Sequence, residues 1–543
     1  MKRTDYCWIL LAGIVCLGAF LFAENAINGS IFCGFPLDDS WIHAQFAHNL
    51  AVGNGMSYSD NIQTPGDTSP LWVVLIAGIF KIFGESHAVL EIRLLSGVAY
   101  LVTGIITAAV TYKTTGKRYL GVLAGIIVVT ISDMVWAGSA GMETSFFSMM
   151  LIAAYWSHLN DKSRIPIRTS ILFALTSLTR PEGILLFVFA ILDAVLEERV
   201  GGGFIAWGKA AVKRTIGQWQ AILVFLAISI PFTIFCWKTT GRMFPNTYYS
   251  KGGGFHLISP IYTYIVYFYS VFLSANPVMF LLVCVGIYGM LKNSAKYPKK
   301  YCLYFFFLFP IIGTVASTTV LTRRLFFTFL PLIVPVAMTG IDTIMNMASN
   351  GLVKRRIQIV ATVTMVLYSI IMMTIGVYPL HYFNGKVWDE AEYFAWGVHN
   401  INEQQVRIAN WLNTHASPGA VVAANDVGAI GFLSHCRVID VCGLVSNDVT
   451  DVIKKYAQFD DAKPHILEYL KATVKPDYVV MYEEWFPDWA RQLPATDTFE
   501  VIAHNNVVCG NDTMTVMKMD WSHNPPIVER QNVSCDSIPQ KRL

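Results

Sequence analysis

Eleven stretches of this 543-residue chain are apolar enough to read as membrane spans, and no other feature limits the fold as tightly. They lie near residues 8–24, 93–112, 119–137, 144–159, 168–180, 183–198, 219–237, 275–291, 301–319, 325–346 and 357–377. A span needs about 20 mostly apolar residues. Inside the hydrocarbon the backbone has no water to bond, so the span must satisfy itself as a helix. Hydrophobic residues make up 54% of the chain and charged residues 14%, and a soluble interior is too small to hide that much apolar surface. The predicted class is an α-helical polytopic membrane protein. The two stretches flanking Arg180 are short and fit either two spans or a hairpin that does not fully cross.

Charge divides the chain in two. Residues 1–376 hold 27 Lys and Arg against 16 Asp and Glu, whereas residues 377–543 hold 13 against 21. The formal net charge of +3 averages a basic membrane part and an acidic tail, and gives no reason to expect nucleic acid as a partner. With the N-terminus inside, 19 of the 27 basic residues fall in cytoplasmic segments, among them Lys2, Lys113, Lys117, Arg118, Lys296 and Lys354, as the positive-inside rule expects. An odd number of spans then sends the tail to the exterior, or periplasmic, side of the cytoplasmic membrane. The first span has a signal peptide's basic start but no small-residue cleavage site before the next polar loop, so it reads as an uncleaved anchor.

The expected organisation is a membrane module over 1–376, with a long first exterior loop at 24–91, and an exterior α/β domain over 377–543. In the loop, Ser40–Ala51 reads as a helix started by Asp38-Asp39-Ser40, since Asp and Ser are good N-caps. Gly53–Ser69 is rich in turn residues. Pro70–Phe83 is an apolar run of 14 residues, too short to span and better suited to a helix lying at the interface. Such a loop would roof the bundle. In the tail, Ile401–Asn413 and Pro464–Ala472 read as helices, and residues 420–424, 437–441, 478–482, 500–504 and 513–518 as strands. The ten cysteines include no CxxC pair, and disulfides between Cys436 and Cys442 or Cys509 and Cys535 are both open.

A second set of charges breaks the partition. Asp38, Asp39, His43, Asp67, Glu143, Arg180, Glu182, Lys251, Arg323 and Arg324 all fall at the ends without basic loops, where ionisable groups need a reason. Carboxylates and arginines at one level suit a reaction in which a base activates a hydroxyl while a phosphate leaves. The adjacent carboxylates of Asp38 and Asp39 repel near a low dielectric, which raises one of them toward a base; the other reading is that both cap the following helix. His43, one turn after Asp39, either orients it or is a core histidine. Arg323-Arg324 either binds phosphate bidentately or snorkels to headgroups. Arg180 and Glu182 at the hairpin turn are site residues or a structural pair. Glu143 is a site carboxylate or the N-cap of its span.

The motifs Asp38-Asp39-Ser40-Trp41-Ile42, Thr64-Pro65-Gly66-Asp67-Thr68-Ser69-Pro70, Gly141-Met142-Glu143-Thr144 and Arg180-Pro181-Glu182-Gly183 occur in an order that resembles the GT-C class of membrane glycosyltransferases. With Pro245-Asn246-Thr247-Tyr248-Tyr249, Lys251 and the tail's Asn425-Asp426-Val427-Gly428-Ala429-Ile430-Gly431, the chain is similar more narrowly to the subgroup that includes terminal arabinofuranosyltransferases of mycobacterial cell walls. It departs from that pattern at Trp41, where Tyr is more usual, and in its small tail.

The resemblance implies an inverting transfer of a sugar from a polyprenyl-phosphate donor to an acceptor hydroxyl on the outer face of the membrane, in cell-envelope assembly. The acceptor would be a glycan, a glycolipid or a protein. The class supplies its base from the acidic pair of the first exterior loop, here Asp38 with Asp39 as partner or alternative. Substrate contacts would come from His43, Asp67, Glu143, Glu182 and Asn246. Arg323, Arg324 and Lys251, with Arg180 fourth, are the candidates to hold the phosphate's charge. Some relatives hold a divalent cation near the acidic loop. Here no third carboxylate has clear ligand spacing, so no cofactor is predicted and a divalent cation stays open.

A transporter or flippase of a lipid-linked sugar is the alternative. It would call for inverted repeats or paired broken helices at midplane, and the chain shows no internal repeat. Eleven spans and a structured loop are excessive for an anchored binding protein.

Overall fold

The helix that opens the chain, α1 (Arg3–Asn28), runs until Gly29 takes a left-handed backbone (φ 72°). The computed structural model describes residues 1–59, 61–161, 164–196, 203–251, 277–293, 296–297, 327–347, 389–456 and 458–522, with short pieces between 351 and 387. Two helices follow in the connection to the next long one: α2 (Asp39–Ala51) and α3 (Pro70–Phe83), the latter with its proline in the first turn, where a missing N–H costs nothing. Both agree with the helices expected there. After them come α4 (Ala88–Thr115), α5 (Arg118–Thr130), α6 (Ser132–Ser139), α7 (Thr144–Leu159), α8 (Ile167–Thr179), α9 (Gly183–Leu196), α10 (Gly203–Gly217), α11 (Trp219–Thr240), the short α12 (Asn246–Lys251), α13 (Pro277–Lys292) and α14 (Leu330–Met347).

Among the described residues, α1, α4, α11 and α14 are long and apolar enough to cross a membrane. The stretch at 119–137, expected as one span, is a pair, α5 and α6, bent by 61°. The bend falls at Ile131, whose backbone is extended (φ −70°, ψ 121°); Ser132 and Asp133 then restart the helix, a position where short polar side chains are favoured over the helix interior. The 13 residues of α8 reach about 20 Å, short of the roughly 30 Å core, in keeping with a hairpin beside α9. The stretches at 301–319 and most of 357–377 lie outside the described residues, as does the boundary drawn at 376.

α1 and α4 run antiparallel, and α1 is clamped at both ends, to α4 at one and to α5 at the other. Near the α2–α3 connection, both terminal guanidinium nitrogens of Arg93 donate to Glu24 at 2.7 Å. At the far end Arg118 pairs with Asp5, and Asp342 on α14 receives Lys117 at 2.6 Å and Lys296 at 3.0 Å. Basic segments read as lying on one side of the membrane thus meet at one end, away from α2 and α3. α13 and α14 touch through glycines: a Cβ on Gly286 would lie 2.1 Å from the Val336 carbonyl oxygen, and one on Gly340 2.0 Å from that of Leu282, the close backbone approach that small residues permit in lipid.

The tail begins with α15 (Glu390–Ile401), capped by the Asp389 carboxylate on the Glu392 amide at 2.7 Å, and passes through one π turn into α16 (Arg407–His415). A five-stranded sheet follows: β1 (Val421–Ala424), β2 (Arg437–Asp440), β3 (Tyr478–Met481), β4 (Ala495–Ile502) and β5 (Thr513–Met519), in the order β2-β1-β3-β5-β4. β1 pairs parallel with β2 and β3, while β5 pairs antiparallel with β3 and β4. Of the expected strands only the fourth is displaced, covering 495–502 rather than 500–504, because its partner register with β5 starts at Ala495↔Met519. Cys436 is a free thiol, so the expected bridge to Cys442 is not formed, and Cys535, the other expected partner of Cys509, lies outside the described residues.

The tail is not an independent body. One apolar core joins Phe35, Trp41, Phe46, Tyr58, Trp72 and Phe80 of the α1–α4 connection to Ile401, Val422, Ile430 and Val480 of the tail. Each fully buried aromatic contributes about 2–3 kcal/mol to that union. A separate core fills the helical bundle, with Tyr100, Phe147 and Phe173. A third lies on the other face of the sheet, with Ile466 and Trp489.

Candidate functional site

Asp38 sits immediately before α2, yet its carboxylate does not cap that helix. It reaches across to the tail, where the Gly428 amide donates to Oδ2 at 2.6 Å and the Ala429 amide to Oδ1 at 2.8 Å. These amides open a short helix, α17 (Gly428–Leu433). Glycine is required at 428, because a Cβ there would lie 2.0 Å from the Asp38 carbonyl oxygen. The Tyr58 hydroxyl fixes the same turn by donating to the Val427 carbonyl at 2.7 Å. Two residues ahead, Asp426 accepts from the Tyr482 hydroxyl and the Gln405 amide, each at 2.8 Å.

Burial, and after it the charge of Asp426, push Asp38 up to about 8, against the pull of the two amides. Asp426 is raised as well, first by burial. Asp39 is half-buried at the start of α2, and its charge acts on Asp426. The expectation that repulsion would raise one member of the acidic pair therefore has a partner in the tail that pair-wise reading did not include.

A second cluster gathers residues from four segments. His43, one turn along α2, donates through Nδ1 to Asp67 at 2.5 Å and through Nε2 to Glu143 at 3.2 Å. Asp67 is oriented by the Ser69 amide, which donates to its other oxygen at 2.6 Å just before α3 begins. Glu143, at the start of α7, also pairs with Arg180, which follows α8 and reaches Glu182 at 3.0 Å. His43, Asp67 and Glu143 are 7%, 2% and 2% exposed. Burial alone would lower the imidazole; the charge and hydrogen bond of Asp67, then those of Glu143, outweigh it and push His43 up to about 10. With a carboxylate on each ring nitrogen the group is an imidazolium. The histidine therefore binds Asp67 and Glu143, and no bond to Asp39 is formed at its ring nitrogens.

Asn246 is buried at a joint between the helical part and the tail. Its side-chain amide donates to Thr64 at 3.1 Å and Asn447 at 2.9 Å, and its oxygen accepts from Arg242 at 3.0 Å. Arg242 continues to Asp451 at 3.1 Å. Lys251 ends α12, its side chain lying outside the described residues, as Arg323 and Arg324 do entirely. Among the described residues no group of three or more His, Cys, Asp or Glu side chains is arranged to hold a metal ion.

The five members of the second cluster were all legible as charges on the wrong side for basic loops. Gly428, Ala429 and Asp426 were visible only as part of a tail motif without a role. The one local hint is a glycine just past the strand β1, where the chain turns and backbones come close.

Residues 399–517 match the family model of a domain of unknown function, DUF8728. No curated protein matches the chain. Among solved structures it is similar to ArnT from Cupriavidus metallidurans in the apo state, with a TM-score of 0.60 and 11% identity over 96% of this chain and 99% of that one. The same enzyme bound to undecaprenyl phosphate gives 0.57 and 11% over 95% and 98%. The Archaeoglobus fulgidus oligosaccharyltransferase in the apo form gives 0.54 and 11% over 94% and 76%. The chain has a GT-C-like fold, with several apolar helices followed by a C-terminal sheet domain. The narrower likeness to arabinofuranosyltransferases rests on the sequence motifs alone.

Proposed function

We propose that this protein is an inverting glycosyltransferase that moves a sugar from a polyprenyl-phosphate donor to an acceptor hydroxyl, on the outer face of the cytoplasmic membrane, in the assembly of a cell-envelope glycan, glycolipid or glycoprotein. The observation that carries the reading is the acidic pair opening the first helix after α1, on a fold shared with ArnT, a protein solved bound to undecaprenyl phosphate. A base at this position, with its proton affinity raised toward neutrality, has the property that general-base catalysis needs.

In the proposed reaction Asp38, with Asp39 beside it, takes the proton of the acceptor hydroxyl. The hydroxyl oxygen attacks the anomeric carbon from the face opposite the phosphate, and the carbon–oxygen bond to phosphate breaks. Polyprenyl phosphate leaves with the electron pair, and the configuration inverts. A phosphate with a second pKa near 6 leaves without a strong acid, so the protein needs only cations to hold its charge. Arg180 is already paired with Glu143 and Glu182, which leaves Lys251, Arg323 and Arg324 as the first candidates. Asp67, His43 and Glu143 would hold the connecting segment against α7 and so fix the height of α2. A divalent cation remains compatible with the reading, and no step depends on one.

The test is incubation of the purified protein with a panel of undecaprenyl-phosphate sugars, reading which donor is consumed and the anomeric configuration of the product. Consumption of one donor with inversion is the expected result. A retained configuration would overturn the single-displacement mechanism, and consumption of none would overturn the reading.

A further inference from the structure

We infer that the tail is part of the active centre: the backbone amides of Gly428 and Ala429 position the Asp38 carboxylate, and Asp426 sets the charge around it. The inference rests on the transferase reading above and adds residues to it that lie some 390 positions from the acidic pair in sequence.

Each carboxylate oxygen of Asp38 takes one amide hydrogen, at 2.6 and 2.8 Å. A carboxylate gripped at both oxygens cannot turn about its bond to Cβ, yet each oxygen keeps a second lone pair for a proton. This is the restraint a base needs, since an error of about 1 Å in its position costs on the order of 100-fold in rate.

The contact is built rather than incidental, because three separate positions depend on it. Residue 428 has no room for a Cβ against Asp38, and a Cβ at Gly431 would lie 2.4 Å from the Tyr58 hydroxyl. That hydroxyl in turn holds the Val427 carbonyl. Trp41, on the turn of α2 that follows Asp38, packs against Phe432 with ring centroids 5.5 Å apart.

Asp426 is anchored by the Tyr482 hydroxyl and the Gln405 amide, and its charge acts on Asp38. The other titratable groups acting here are Asp39 on the same helix, Tyr58 from the α2–α3 connection, and Tyr482 and Cys509 of the tail. Burial raises the two tyrosines and the thiol, so all three are neutral at pH 7. The carboxylates alone set the local charge; Asp440 and Glu403 of the tail act on Tyr58 and Cys509, and Asp426 is the tail carboxylate that acts on Asp38.

The test uses the full chain in nanodiscs with the undecaprenyl-phosphate sugar panel. Gly428→Ala should lower kcat about 100-fold while donor KM stays within about 2-fold. Asp426→Asn, which keeps the shape and one acceptor oxygen, should move the acid limb of the pH–rate profile about one pH unit lower, since removing a neighbouring negative charge makes Asp38 easier to ionise. Independently of any sugar, Asp38→Ala should speed hydrogen exchange at the Gly428 and Ala429 amides at least about 10-fold, with β1 and β3 unchanged.

Consumption of a donor by the wild type, with Gly428→Ala and Asp426→Asn behaving as wild type, overturns the inference and leaves the transferase reading intact. Consumption of none overturns the transferase reading. Accelerated exchange in Asp38→Ala then still upholds the amide grip, and unaltered exchange overturns it.

Discussion

Replacing His43 by glutamine tests the buried cluster through pH. The imidazole has an ordinary value near 6.5 and is pushed up to about 10 in the folded protein, by Asp67 and Glu143 against burial. A group raised on folding stabilises fully below its unfolded value and loses that contribution as pH climbs through the folded one. The window is therefore about pH 6.5 to 10. Within it, each pH unit removes about 1.4 kcal/mol, so the step from pH 7 to pH 9 should cost the wild type about 2–3 kcal/mol. The full gap would convert to about 5 kcal/mol, at the upper end of the 3–5 kcal/mol expected for breaking a buried ion pair. Thermal unfolding in nanodiscs, followed by tryptophan fluorescence, should show the wild-type midpoint falling by roughly 2 °C between these pH values. His43→Gln should start lower at pH 7 and lack this component of the slope. Asp38 titrates in both proteins and cancels in the comparison. Equal slopes for wild type and variant would refute the imidazolium reading, as would an NMR titration placing the His43 midpoint below pH 8.

Other perturbations separate chemistry from architecture. Asp38→Ala should leave folding and membrane insertion intact and abolish sugar transfer, with Asp39→Ala losing less; turnover by purified Asp38→Ala given its donor would remove Asp38 as the base. Arg323→Ala should raise donor KM more than acceptor KM, and the reverse pattern would contradict the phosphate role. Gly340→Leu should drive α13 from α14, since even a Cβ there would lie 2.0 Å from the Leu282 carbonyl oxygen; the expected loss is about 1–3 kcal/mol or more, and an unchanged melting temperature would mean that the two helices do not pack as described.

The bundle was legible because lipid imposes a simple code of length and apolarity. The pair α2 and α3 was legible because Asp38 and Pro70 mark their starts and the run to Phe83 is too short to span. What escaped has a physical reason in each instance. The break at Ile131 lies inside an apolar stretch whose composition fits an unbroken span, and only Ser132-Asp133 hints at a restart. The start of α15 depends on a cap at Asp389, twelve residues before the periodic stretch at Ile401. The grip on Asp38 uses backbone amides, which every residue but proline carries, so no residue type announces it. His43, Asp67, Glu143, Arg180 and Glu182 were legible singly, as charges in the wrong place, but their order along one chain of ion pairs follows only from how four segments pack.

That chain of ion pairs constrains the proposed chemistry by its sign. Three carboxylates and two cations leave one net negative charge buried among α2, α7 and the α8–α9 turn. In the proposed reaction a doubly charged leaving phosphate would be repelled by that excess, by roughly 4 kcal/mol for an illustrative separation of about 8 Å at an effective dielectric of 20. Asp38 and Asp426 add to the repulsion whenever they ionise. This excess makes the cluster a poor phosphate clamp, and Arg180 within it is shared between Glu143 and Glu182, which ranks it behind the other cations. On that proposal cations outside the cluster offset this field. Lys251 is at the end of a helix whose first residue, Asn246, is pinned to Thr64 and Asn447, and Arg323-Arg324 supplies two further charges at adjacent positions. Removing any one of the three should weaken the donor, and removing two should cost more than the sum of the single losses, since the remaining charge must then hold the phosphate against the same negative field alone.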